Sequence, residues 1–180
     1  GVNVDYSKAI EYYTKSSKLD NNDALCNLGF LFYHGNEVKQ DYAKAREYFE
    51  KAAELGNTNA ICNLGKLRLY GQGVAKNYTK AREYFEKAAE LGNPYGFRNL
   101  GRIYLYGLGV ENDYKKAMKC FEKLVQLGHY SGYHYLAKFY EFGLGVEQNI
   151  QKAIEYNMKA AEHGNSIALF WLGHIHVKGI

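Results

Sequence analysis

Equivalent residues recur along this chain at a constant step of 36. Ala9, Ala45, Ala81, Ala117 and Ala153 keep that step, as do Leu28, Leu64, Leu100, Leu136 and Leu172. Gly35, Gly71, Gly107, Gly143 and Gly179 keep it too, and five such periods fill the 180 residues. A period of this size specifies stacked supersecondary units, each burying its apolar face against its neighbours. A single globule built from unrelated elements is excluded. With 47% hydrophobic residues there is enough apolar material for such a core, and one Pro among 180 residues excludes collagen-like or Pro-rich linker classes.

Each period reads as two helices. The first covers about residues 41–55, with Tyr42, Ala45, Phe49, Ala52 and Ala53 spaced along one helical face. Asp5, Asp41, Asn77, Asp113 and Asn149 precede it and offer a side-chain oxygen to the free amides of the first turn. Gly56, Gly92, Gly128 and Gly164 follow it, where a left-handed residue ends a helix. Asn57, Asn93 or Asn165 then caps a second helix, and Pro94 sits at a first helical position, where its missing N–H is harmless. The second helix carries Ala60, Leu64 and Gly65 and reaches about Tyr70, after which Gly71-Gln72-Gly73-Val74 reverses the direction. No useful length alternates with period two, so no strand is expected. Small residues such as Ala45 and Gly65 let helix axes approach to about 8–10 Å.

Leu64-Gly65, Tyr70-Gly71-Gln72-Gly73-Val74, Ala81, Tyr84, Phe85, Ala88, Ala89 and Gly92 together resemble the Sel-1-like repeat, a branch of the tetratricopeptide-like solenoids. The resemblance runs through all five periods. It departs at Arg68 and His176, where Tyr104 and Tyr140 fit, at Asn157, where Phe85 fits, and at Ala137, where Gly101 fits. It implies an all-α fold, a right-handed α/α superhelical solenoid of 36-residue helix-turn-helix repeats. In the family's frame the Leu-Gly helix opens each repeat. Residues 1–180 then form a single array: an orphan helix at 5–20, about four full repeats over 22–165, and an unpaired helix at 166–178. Leu169, Phe170 and Trp171 do not make the polar outer face of a capping repeat, and Gly1 is no initiator Met, so a piece of a longer array is expected.

Catalytic and cofactor chemistry finds little footing. His174 and His176 are two apart on a helix and diverge, and His129 and His134 lack neighbouring Cys or Asp ligands, so no metal and no cofactor is expected. Gly107-Leu108-Gly109-Val110 lacks the third glycine of a dinucleotide loop and follows a helix, so it reads as a recurring turn. No cysteine has a His and Asp or Asn in supporting positions, which ranks a hydrolase last and makes a non-enzymatic role the expectation. Cys26 and Cys62 sit one repeat apart, too far for a disulfide at helix-stacking distance, and read as free thiols; they lean toward an intracellular setting and leave a secreted, periplasmic or ER one open. Asn77-Tyr78-Thr79 is a glycosylation sequon, but Asn77 is better explained as a helix cap. No apolar run approaches the ~20 residues of a membrane helix, so direct membrane insertion is not expected.

Charge is distributed with the repeat. Lysines recur at Lys8, Lys44, Lys80, Lys116 and Lys152, and at Lys15, Lys51, Lys87, Lys123 and Lys159. Glu11, Glu47, Glu83 and Glu155 lie four residues before members of the second set, as for paired charges on a solvated outer helix face. With a net charge of only +4, nucleic acid is a secondary reading.

Positions that differ between repeats are the ones free to make unit-specific contacts. On the Leu-Gly helices these lie two before the Leu (Cys26, Cys62, Arg98, His134, Phe170) and two after it (Phe30, Lys66, Arg102, Lys138, His174). The residue before the first turn glycine also varies: His34, Tyr70, Tyr106, Phe142 and Lys178. Similarity to tetratricopeptide-like solenoids places these positions on a concave groove. Lys66, Tyr70, Arg98, Arg102, Tyr106, His134, Lys138 and Phe142 would make it basic and aromatic. Arg forks pair with carboxylates and Tyr supplies rigid contact area. The expected partner is therefore a protein or peptide, an acidic segment or a C-terminal segment with an apolar anchor. The resemblance implies the same general role, a scaffold or adaptor for protein complexes.

Overall fold

The computed structural model describes residues 5–36 and 38–179, without the side chain of Lys178. Every regular element among them is a helix. They fall into two compact units, Gly1–Asn93 and Pro94–Ile180. The first holds α1 (Tyr6–Ser17), α2 (Asn22–His34), α3 (Tyr42–Glu54), α4 (Thr58–Tyr70) and α5 (Tyr78–Glu90). The second holds α6 (Pro94–Tyr106), α7 (Tyr114–Gln126), α8 (Ser131–Phe142), α9 (Ile150–Glu162) and α10 (Ser166–Lys178). In each unit a helix packs on its sequence neighbours, as expected of an α/α solenoid.

The caps fall where the polar residues were expected. Oδ1 of Asp41 and of Asn77 each accepts from the amide three residues on, at 2.9 Å. Asn57 does more than cap. Its Oδ1 accepts from Ala60 N, while its Nδ2 donates to Asp23 Oδ1 at 2.8 Å, one repeat earlier. Asn93 repeats the motif on Asn59. The nearly buried Asn57 amide thus ties the start of α4 to the start of α2 and sets the register of these two helices within the first unit. At α8 the equivalent residue is His129, and the helix starts from Tyr130 with no side-chain oxygen bound to its first amides.

Packing within a pair turns on a glycine and a ring. Phe49, Phe85 and Phe121 have no exposed surface. Gly29, Gly65 and Gly101 on the preceding helices face them so closely that an added Cβ would lie 2.6, 2.6 and 2.7 Å from ring carbons. Burying one such ring contributes about 1.5–3 kcal/mol, which the close backbone approach makes possible. The turn glycine Gly73 serves the same end. Its φ of +65° suits a residue without a side chain, and a Cβ there would stand 2.6 Å from Tyr42 Cβ at the start of α3.

The lysine ladder proves to be partly a packing device. Lys44 Nζ lies 5.1 Å from the Phe32 ring, Lys116 Nζ 5.5 Å from Tyr104, and Lys152 Nζ 5.0 Å from Tyr140. Where the ring position is Arg68, Lys80 has no aromatic face to cover and pairs with Glu83 at 2.7 Å instead. Of the expected four-residue pairs, Glu11 meets Lys15, whereas Glu83 turns toward Lys80. A cation over an exposed ring and an exposed ion pair contribute comparably small amounts, and Lys116 makes both, lying 3.2 Å from Asp113 Oδ2.

Candidate functional site

The Leu-Gly helices α2, α4, α6, α8 and α10 each bury one face against their partner helix and leave another open. On α4, Lys66 and Tyr70 follow each other at four-residue spacing. Lys66 is half-buried and donates to Asn63 Oδ1 at 3.0 Å, and Tyr70 is 50% exposed. The turn-preceding position thus presents a ring to solvent, while the position before it is partly held by its own helix.

On α6 the run is Arg98, Arg102 and Tyr106. Both arginines are half-buried and Tyr106 is 51% exposed. The Arg98 guanidinium lies 5.6 Å from the Tyr95 ring, and its buried Nε makes no hydrogen bond. The Tyr95 ring thus offers its face to the Arg98 guanidinium.

On α8 the run is His134, Lys138 and Phe142, and here the structure brings all three residues to one place. They line an open surface pocket of about 300 Å³ together with Glu141, Asn157 and Trp171, with Ile167 and Phe170 of α10 on its exposed rim. Trp171 Nε1 donates to Glu141 Oε1 at 2.8 Å, which joins α10 to α8. Burial lowers the His134 imidazole below its ordinary value, Lys138 adds to the effect, and Asn157 partly opposes it. The imidazole is held toward its neutral form by desolvation.

Sequence spacing alone does not single out Glu141 or Trp171. The signal for Asn157 is in the repeat itself, since it stands where Phe85 and Phe121 stand. One placement is corrected: Cys26 and Cys62, expected beside Arg98 and His134 on an open face, are buried at 8% and 1% exposure. A small apolar thiol fills the seam that a longer residue must leave. All three cysteines are free thiols. Burial pushes Cys26 and Cys120 up to about 11, so neither is a nucleophile at neutral pH. Phe30, Phe170, His34 and His174 are exposed, and the side chain of Lys178 lies outside the described residues.

A model of the Sel1 repeat matches residues 1–21, 22–57, 58–93, 98–129 and 131–165. This chain belongs to the Sel1 repeat family. Each middle segment pairs a Leu-Gly helix with the Ala- and Phe-rich helix after it. The fold of a Sel1 repeat protein from Oxalobacter formigenes superposes with a TM-score of 0.89 at 32% identity, over 99% of this chain and 73% of that one. The protective antigen c5321 of uropathogenic Escherichia coli, described as having an SLR fold, gives 0.81 at 37% identity over 97% of this chain. This chain spans 38% of that antigen's length. Helicobacter pylori cysteine rich protein B gives 0.56 at 31% identity, covering 77% of this chain and 99% of its own. No curated protein matches. Sel1 repeat proteins are α/α solenoids that generally act as non-enzymatic scaffolds and bind other proteins. Among the described residues no helix is long and apolar enough to cross a membrane.

Proposed function

We propose that this Sel1 repeat protein is a non-enzymatic scaffold that takes a peptide or protein partner on the open face of its Leu-Gly helices. The observation that carries the reading is the repeated order of residues along α6 and α8: a half-buried nitrogenous group, then a cation, then an exposed ring. Arg98, Arg102 and Tyr106 follow that order, and so do His134, Lys138 and Phe142, each at four-residue spacing. In the first unit Lys66 and Tyr70 occupy the last two places of the same order. Cations backed by aromatics suit an acidic segment, or a C-terminal segment with its free carboxylate, that also has an apolar anchor.

The test uses a fluorescein-labelled peptide of Asp and Glu residues ending in Leu. Binding to the intact protein is expected to weaken roughly tenfold on Arg98→Glu with Arg102→Glu, an effect in line with removing charge-assisted contacts. Circular dichroism of the variant reports that the helices persist. Equal affinity of the folded variant and the parent overturns the assignment of this face.

A further inference from the structure

One place changes character between equivalent repeats: the start of an Ala- and Phe-rich helix with the Gly-x-Gly-Val turn packed on it. In the first unit α3 meets Gly71-Gln72-Gly73-Val74, and Gln72 accepts from Tyr33 Oη at 2.6 Å and donates to Tyr42 Oη at 3.2 Å. Arg46, Glu50 and Val74 border a space of only about 10 Å³ there. Two repeats on, in the second unit, Met118 stands for Arg46 and Leu144 for Gln72. The turn keeps its close approach, since a Cβ on Gly145 would lie 2.8 Å from Tyr114 Cβ. The polar filling is gone, and an open pocket of about 400 Å³ remains, walled by Tyr114, Met118, Leu144 and Val146. These four side chains are half-buried and pack on the core around Phe121 and Phe139.

The rim changes with the walls. Lys115 and Lys119, both exposed and one turn apart, border the pocket where α3 has Ala43 and Glu47. Among the described residues neither is in an ion pair, whereas Lys116 between them is held by Asp113 at 3.2 Å. Nor does the helix balance them: α7 has Lys115, Lys116, Lys119 and Lys123 against Glu122, while α3 sets Lys44, Arg46 and Lys51 against Glu47, Glu50 and Glu54. Uncompensated positive charge thus stands beside an apolar hollow at this one repeat of the two.

We propose that this pocket takes the apolar side chain of an acidic peptide segment from a partner protein, with Lys115 and Lys119 on the flanking carboxylates. Aliphatic walls and the flexible Met118 thioether adapt to a Leu-like anchor. Glu122 lies at the far end of the run, so the partner's carboxylates belong toward the start of α7, beside the two lysines. A bounded hollow suits one side chain, whereas a membrane surface calls for a broad apolar stripe. The site stands on an Ala- and Phe-rich helix and shares no residue with the Leu-Gly face, so it is a second docking surface whose case does not depend on the first.

Met118 is one of two methionines, and Met158, 51% exposed and outside the pocket lining, serves as the control. The intact protein, isotope-labelled at its methionine methyls, is titrated under NMR observation with a peptide of Asp and Glu residues around a central Leu, blocked at both ends. The same peptide with Ser for Leu is the comparison. The Met118 signal is expected to shift while Met158 holds, at roughly tenfold lower concentration for the Leu peptide, the gain from burying one apolar side chain. Lys115→Glu with Lys119→Glu, both at exposed positions, is expected to raise the concentration needed roughly tenfold with parental helix content. Leu144→Gln puts back the turn residue of the first unit and is expected to abolish the preference for Leu. Arg98→Glu with Arg102→Glu is expected to leave the Met118 shift intact, and its loss there overturns a separate site. An unmoved Met118, equal response to the two peptides, or an undiminished response in the folded lysine variant overturns the proposal. A Met118 shift with phosphatidylserine vesicles but not with peptide overturns it in favour of a lipid surface.

Discussion

Gly65 lies against the ring of Phe85 with no room for a methyl group, since a Cβ would stand 2.6 Å from Cε1. Phe85 has no exposed surface and nowhere to retreat. Gly65→Ala gains up to about 1 kcal/mol of helix propensity, but overpacking costs about 1–3 kcal/mol, and the loss wins. The midpoint of urea unfolding is expected to fall. Ala81→Leu in the same pair has a fully buried site to overfill and is expected to act in the same direction.

Arg68 occupies the place where Phe32, Tyr104 and Tyr140 lie beneath lysines. Arg68→Tyr is expected to draw Lys80 away from Glu83 and onto the new ring. The measurement is a double-mutant cycle. Lys80→Ala, close to neutral in the parent, becomes destabilising once Tyr stands at 68, and an unchanged effect contradicts the packing role of the ladder.

Asp20 holds a φ of +56°, the left-handed conformation that Gly56, Gly92, Gly128 and Gly164 adopt at the same point of later repeats. A residue with a Cβ is disfavoured there, so Asp20→Gly is expected to stabilise the protein by about 0.5–1 kcal/mol. Hydrogen exchange of α1 amides reports the gain locally. Faster exchange in the variant contradicts it.

His134 is held below its ordinary value of 6.5, first by burial and then by Lys138. The unfolded state therefore binds the proton more readily than the folded one. The stability contributed by the neutral imidazole is complete above pH 6.5 and is lost as pH falls from there toward the folded value. His134→Gln is expected to flatten this part of the stability profile between pH 7 and pH 5, measured by denaturant unfolding at each pH. An unaltered profile assigns the dependence to another group.

Helices, turns and the stacked order are local matters, and the order of residues alone determines them. A 36-residue step, an Asp or Asn before each helix and a Gly after it decide where helices begin and end, because capping and left-handed termination act over three or four residues. The runs on α6 and α8 were legible for the same reason: four-residue spacing alone aligns residues on a helix. Distances between helices belong to the tertiary structure. Only there do Cys26 and Cys62 turn inward, Lys44 settle over Phe32, and Glu141 receive the indole N–H of Trp171 thirty residues away. The exchange of Gly and Phe for Ala137 and Asn157 is visible in the letters. That it accompanies a surface pocket depends on how α8, α9 and α10 pack beside one another, a balance no single helix contains.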